Sequence, residues 1–237
     1  MDPQGQLGKV FGIDVRQARR SSIELLIDSV LGEESLDDPG VAALASELPI
    51  CATRIPQLDV IVANKALGLA PALDAPEADP SGRLARRLAA ASELERYDFV
   101  LVDSPPSFGL LTLNVLRAVD ELVVPVPLTF LALDGCAELQ RTIATVRSRY
   151  EHPELRVTMV VPTFYRRTHM ADAVLESLKQ RFPKELAQTV VGFHVKIDEA
   201  QSRGKSIFEY APADRGARVL AALAQELEAR SPGGAPS

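Results

Sequence analysis

Residues Phe99-Val100-Leu101-Val102 form an unbroken apolar run that stops at Asp103 and passes into Ser104-Pro105-Pro106-Ser107. Large apolar side chains without polar alternation suit a strand buried on both faces, as in a parallel sheet covered by helices. Asp103 then stands at the carboxyl end of that strand. Open α/β sheets bind ligands at that edge, and an acid there commonly faces a metal ion or phosphate. The alternative is an aspartate that ends the strand and accepts hydrogen bonds from the following turn.

The flanking patterns supply the rest of such a sheet. The spacing of Ile23, Leu26, Ile27 and Val30 predicts a helix over 22–31, with Gly32 as its stop and an acidic loop to Gly40. Leu58 to Val62 reads as a short strand after Pro56, and 70–80 as a surface loop rich in Ala, Pro and Asp. Ser81 is placed to cap a helix whose inner face is Leu84, Leu88, Ala91 and Leu94, with Arg83, Arg86 and Arg87 mostly outside it. Beyond the Asp103 strand come a helix over 110–117 and a strand over 121–126. Leu139, Ile143 and Val146 mark the next helix, and Val157 to Val161 the next strand. Val174, Leu175, Leu178 and Phe182 mark another helix, and a last long one covers 215–229. This β-α-β-α-β-α order predicts an α/β fold: a doubly wound, mainly parallel sheet with helices on both faces. A single domain over 1–230 and a disordered tail over 231–237 are expected.

Composition narrows the function. The net charge of −6 argues against a protein that coats nucleic acid over its whole surface, yet permits a local basic patch. Cys51 and Cys136 have no His or Cys neighbours at metal-ligand spacing, which fits free thiols in a reducing cytoplasm. No apolar run approaches the ~18 residues of a membrane span, so a soluble cytoplasmic protein is expected. His169 and His194 lack an acid and nucleophile at recognisable spacing and are not read as catalytic.

Several segments, taken in order, resemble the ParA/Soj branch of the deviant-Walker P-loop ATPases, the group that also holds MinD-type proteins. Arg96 to Ser107 resembles the family's Walker B segment, and Leu111-Thr112-Leu113-Asn114 follows it as in the family. Val123 to Val126 and Ala132-Leu133-Asp134-Gly135 resemble the next strand and helix. Glu199-Ala200, Gly204-Lys205, Tyr210-Ala211-Pro212 and Arg215-Gly216-Ala217 resemble the C-terminal pattern. Asp2-Pro3-Gln4-Gly5 looks like the second half of the family's D-x-D-P-Q-G motif, with Met1 at x.

In the family a strand, the glycine-rich Walker A loop with two lysines, a helix and another strand precede that motif. The 237 residues contain no G-x-x-x-x-G-K-[ST]; Gly204-Lys205-Ser206 lacks the upstream glycine, and Gly8-Lys9 is a superficial likeness. The sheet is therefore expected to lack its first β-α-β unit. Two explanations stand: Met1 is an internal methionine of a chain about 40 residues longer, the favoured one, or the chain is a shortened, non-hydrolysing relative.

The resemblance implies ATP and Mg²⁺ as cofactors and assigns roles. Asp103 matches the Walker B aspartate that holds the hydration shell of Mg²⁺, and Asp2 the acid that positions the attacking water, with a turn-capping aspartate as its alternative. Thr163 and Phe164 match the adenine-side loop, although an aromatic after a strand also serves as packing. Arg167 and Lys196 match basic positions that bind DNA non-specifically, with Arg166 and Lys205 of similar character nearby; ordinary solvated charge is the alternative. Gly192-Phe193-His194 departs from the family's Pro-Arg turn, which puts nucleotide contacts there in doubt.

By resemblance the function is that of a partition ATPase: ATP drives homodimerisation and DNA binding, and a ParB-like centromere-binding partner stimulates hydrolysis. Without the phosphate loop, the chain as given is expected to be a monomer unable to hydrolyse ATP. A non-catalytic interaction module and a protein that positions another cargo are the competing readings. A MinD-like membrane switch fits less well, because Gln225, Glu226 and Glu228 occupy the last helical turns.

Overall fold

A computed structural model describes residues 1–14, 20–26, 47–65, 67, 79–105 and 109–231. They fall into two compact units, Met1–Ala118 and Val119–Ser237.

The first unit begins with the short helix α1 (Gln6–Val10) and a 3-10 turn at Ser22–Leu25. Strands β1 (Cys51–Ala52) and β2 (Asp59–Val60) pair antiparallel. A 3-10 turn at Pro80–Gly82 leads into α2 (Arg83–Ala89), a second at Ser92–Arg96 follows, and α3 (Leu110–Ala118) closes the unit. Asn114 of α3 is buried and fully used. Its Oδ1 accepts from Leu84 N at 3.1 Å, and its Nδ2 donates to Pro80 O and Leu110 O, each at 3.0 Å. One amide thus accepts from the Leu84 N–H in the first turn of α2, one of the donors a helix start leaves unpaired, and ties the Pro80 and Leu110 carbonyls to it.

Four expectations are corrected in this unit. The helix expected from Ser81 is two pieces: Ala91 is extended, and the turn after it is tied back where Leu48 N donates to Glu93 Oε1 at 3.0 Å. Ser81 does not cap it but donates its hydroxyl to Asp79 Oδ1 at 2.8 Å. Arg83 is buried rather than solvated, because its guanidinium reaches Leu26 O at 3.1 Å. Most telling, 99–102 forms no strand, and Leu101 is 78% exposed. A strand exists through its ladder, and among the described residues none pairs with this segment. The segments 27–31, 70–78 and Pro106-Ser107 lie outside the described residues.

The second unit follows the sequence pattern closely. β3 (Glu121–Pro127) and β4 (Arg156–Thr163) run parallel, joined by α4 (Ala132–Arg149), with a register irregularity at Leu122/Val123. Helix α5 (His169–Arg181) follows, then α6 (Val195–Ser202), α7 (Ile207–Tyr210) and α8 (Arg215–Arg230). The chain between α5 and α6 returns alongside β4 through parallel bridges Val160↔Leu186 and Tyr165↔Gly192. β4 is the strand buried on both faces. Val160 packs with Cys136, Val174, Leu178 and Phe182 under α4 and α5. Its neighbours Met159 and Val161 pack against Val219, Leu220, Leu223 and Leu227 of α8. The strand's period of two sends alternate side chains to opposite helical layers, which is the doubly wound arrangement. Both cysteines are free thiols. No helix among the described residues is long and apolar enough to cross a membrane.

Candidate functional site

In the second unit Thr163 and Phe164 stand at the end of β4 and Arg166 and Arg167 follow directly, while Lys196 and Lys205 lie on α6 and the turn after it. Thr163 is its last residue, and the Thr163 carbonyl accepts from Leu128 N at 3.0 Å, fixing the loop after β3 beside it. Phe164 follows with φ 54°, a left-handed backbone that costs a non-glycine residue about 1–2 kcal/mol. Phe164 is 57% exposed. Such strain held in place beside a sheet edge is a mark of functional loops. Tyr165 N donates to Val191 O at 3.2 Å, which locks this loop to the segment leading into α6.

That lock brings the basic positions onto neighbouring loops and turns. The Arg166 guanidinium lies 5.0 Å from the Phe193 ring centroid, a cation–π distance. Arg167 sits near the Tyr165 hydroxyl, which donates to Asp172 Oδ1 at 2.9 Å; that hydrogen bond raises the Tyr165 pKa. Lys196, in the first turn of α6, donates to Glu199 Oε2 at 2.7 Å, and the Tyr210 hydroxyl donates to the same oxygen at 2.8 Å. These two hydrogen bonds hold the Glu199 carboxyl below its ordinary pKa, and the bond to Glu199 raises Lys196. Lys196 and Arg203 both approach the Tyr210 ring, at 5.7 and 5.5 Å. Gly204, at φ 61°, then turns the chain so that exposed Lys205 precedes α7. Arg203 carries no sequence signal, and Tyr210 stands out only within the C-terminal pattern; their proximity to Lys196 depends on the turn between α6 and α7.

Asp2 and Asp103 belong to the first unit. Asp2 Oδ1 accepts from Gln4 N and its carbonyl from Gly5 N, both at 3.0 Å, so Asp2 does shape the turn into α1. Burial lowers the pKa of the Met1 amino group, opposed first by the Asp103 carboxylate and then by that of Asp2. Both acids therefore act on one charged group. Asp103 is exposed. Among the described residues no three His, Cys, Asp or Glu side chains converge as a metal cage. A single exposed carboxylate suits Mg²⁺, which keeps most of its waters. The residues present do not supply a phosphate cradle, since no glycine-rich loop with a lysine occurs in the sequence.

A parallel sheet with helices on both faces and loops gathered at the strand ends defines the class as an α/β P-loop-type nucleotide-binding fold. Residues 1–157 match the family described as AAA domain. The chain is 34% identical to the sporulation initiation inhibitor protein Soj of Bacillus subtilis, covering 97% of this chain and 84% of that protein. It is 33% identical to the chromosome partitioning protein ParA of Caulobacter vibrioides, covering 97% and 80%. The crystal structure of cobyrinic acid a,c-diamide synthase from Mycobacterium smegmatis superposes with a TM-score of 0.70 at 26% identity, covering 94% of this chain and 78% of that one. The cell division ATPase MinD of Pyrococcus furiosus shares the fold, with a TM-score of 0.68 at 17% identity, covering 97% and 84%. The chain belongs to the ParA/Soj family of AAA-domain ATPases.

Proposed function

We propose that this chain acts in plasmid or chromosome partition: ATP drives dimerisation and non-specific DNA binding, and a ParB-like partner stimulates hydrolysis to release the DNA. Arg166, Arg167, Lys196 and Lys205 are the DNA contacts, Thr163 and Phe164 the adenine-side residues, Asp103 the Mg²⁺ residue and Asp2 the acid that positions water. The observation that supports this reading is a set of cations on aromatic rings after β4: exposed Arg166 against Phe193, and Lys196 and Arg203 against the partly buried Tyr210. Sequence-independent binding needs cations facing phosphates and no base-specific geometry. Family membership supports the nucleotide cycle. Because the phosphate loop is missing from the sequence, our reading is that the 237 residues by themselves do not turn ATP over and stay monomeric, and that they keep only the weaker, ATP-independent part of DNA binding, carried by the same cations.

The packing of α8 favours the nucleoid-associated cytoplasmic reading over a membrane switch. Its apolar residues Val219, Leu220, Leu223 and Leu227 are engaged against β4 and the Ala187–Val191 segment, which leaves no apolar stripe on that helix for lipid. A second reading, a nucleotide-independent interaction module, is favoured by the absent loop motif alone. ATP affinity and turnover of the chain, together with DNA binding with and without ATP, test both. Brisk turnover by these residues contradicts the reading of the missing loop; tight, ATP-independent binding of a protein partner without DNA binding supports the module instead.

A further inference from the structure

A groove of about 360 Å³ opens at the start of β4, the strand end opposite Thr163. Its walls come from the C-terminal half of α4, the end of α5 and the first residues of β4, and none of the roles above uses it. Arg147, Arg156 and Arg181 all line it. Arg156 is neutralised by an ion pair with Glu121. The other two are held differently. Arg147 Nε donates to Leu155 O at 2.6 Å, and Arg181 Nε donates to Gln140 Oε1 at 2.9 Å. Each guanidinium is thus anchored at Nε, and neither has an ion-pair partner among the described residues.

Anchoring at Nε lowers the rotamer entropy lost on binding and leaves the terminal nitrogens as a preset fork for an oxyanion. Ile143 and Phe182, both buried, and half-buried Val157 give the groove an apolar floor. Glu185 also lines it, so two uncompensated guanidiniums face one carboxylate. The surplus is one positive charge. A phosphate group near pH 7 carries about −1.5 to −2 charge and meets Glu185 unfavourably, whereas a side-chain carboxylate matches the surplus. The groove is open at the surface, which suits an extended chain.

We propose that this groove binds an acidic peptide segment of a partner protein: one Asp or Glu carboxylate on Arg147 and Arg181, and a neighbouring apolar side chain on Ile143, Val157 and Phe182. The groove lies at the start of β4, the strand end opposite Thr163. The test is a methyl NMR titration of the 237-residue chain with a blocked peptide Ala-Leu-Glu-Leu-Ala, its Gln counterpart, and inorganic phosphate. The expected result is saturable shifts of the Ile143 and Val157 methyls with the Glu peptide, bound about tenfold more tightly than the Gln peptide, as a charge-assisted pair provides. Arg181→Ala weakens the Glu peptide by about the same factor and Glu185→Gln tightens it, both with unchanged spectra elsewhere. Equal binding of both peptides, shifts with phosphate alone, or no shifts with either peptide overturns the proposal.

Discussion

Arg117 Nη1 donates to Asp79 Oδ1 at 2.6 Å, and with the Ser81 hydroxyl this pair fastens α3 to the turn that starts α2. The Arg117 hydrogen bond, against an opposing push from burial and with help from Ser81, lowers the Asp79 pKa to about 2. An aspartate unfolded near 3.9 and folded near 2 adds stability that is complete above the unfolded value and lost as pH falls through the folded one. Asp79 is 41% exposed, so screening keeps the contribution below about 1 kcal/mol. Urea unfolding of wild type and Asp79→Asn should show a midpoint gap that is constant above about pH 5 and narrows between pH 4 and pH 2.

Asn114 is a sharper structural test. Asn114→Ala strands the buried Leu84 N–H and removes a partner from the part-buried Pro80 carbonyl. Leaving such groups unsatisfied costs about 1–3 kcal/mol, which should lower the urea midpoint at unchanged slope.

Phe164 separates stability from function. Glycine relieves the left-handed backbone, worth about 1–2 kcal/mol, and loses about 0.5–1 kcal/mol to unfolded-chain entropy. Phe164→Gly should therefore be neutral or slightly more stable in thermal unfolding. If the ring meets adenine, the same variant binds a fluorescent ATP analogue more weakly; unchanged affinity removes Phe164 from the adenine site.

The legibility of the fold in the sequence differed between the two units. In the second, Val157 to Val161 forms a doubly buried strand and α8 carries its four apolar residues inward, because both patterns are satisfied by neighbours within the same unit. In the first, Phe99 to Val102 has the composition of a buried strand and no pairing partner among the described residues, and periodicity cannot report whether a ladder partner exists. Arg83 illustrates a related limit: its burial depends on the carbonyl of Leu26, distant in sequence. At the candidate site, resemblance pointed to Lys196. Its shared contact with Arg203 at the Tyr210 ring is not readable from the sequence, since a turn brings them together.

The packed face of α8 carries its own prediction. Leu223→Ala should destabilise the chain by about 1–3 kcal/mol, at the lower end of core truncations because the side chain is only partly buried. Wild type should not sediment with anionic liposomes; co-sedimentation would revive the membrane switch.

DNA binding at the end of β4 is the central claim, and the salt dependence of affinity for a non-specific duplex tests it most directly. Each lost phosphate contact should lower the slope of log K against log salt by about 1, equally on unrelated sequences. Arg166→Ala and Lys196→Ala are each expected to do so, and the double variant to lose about two units of slope. A slope that stays at the wild-type value in both variants would contradict the account.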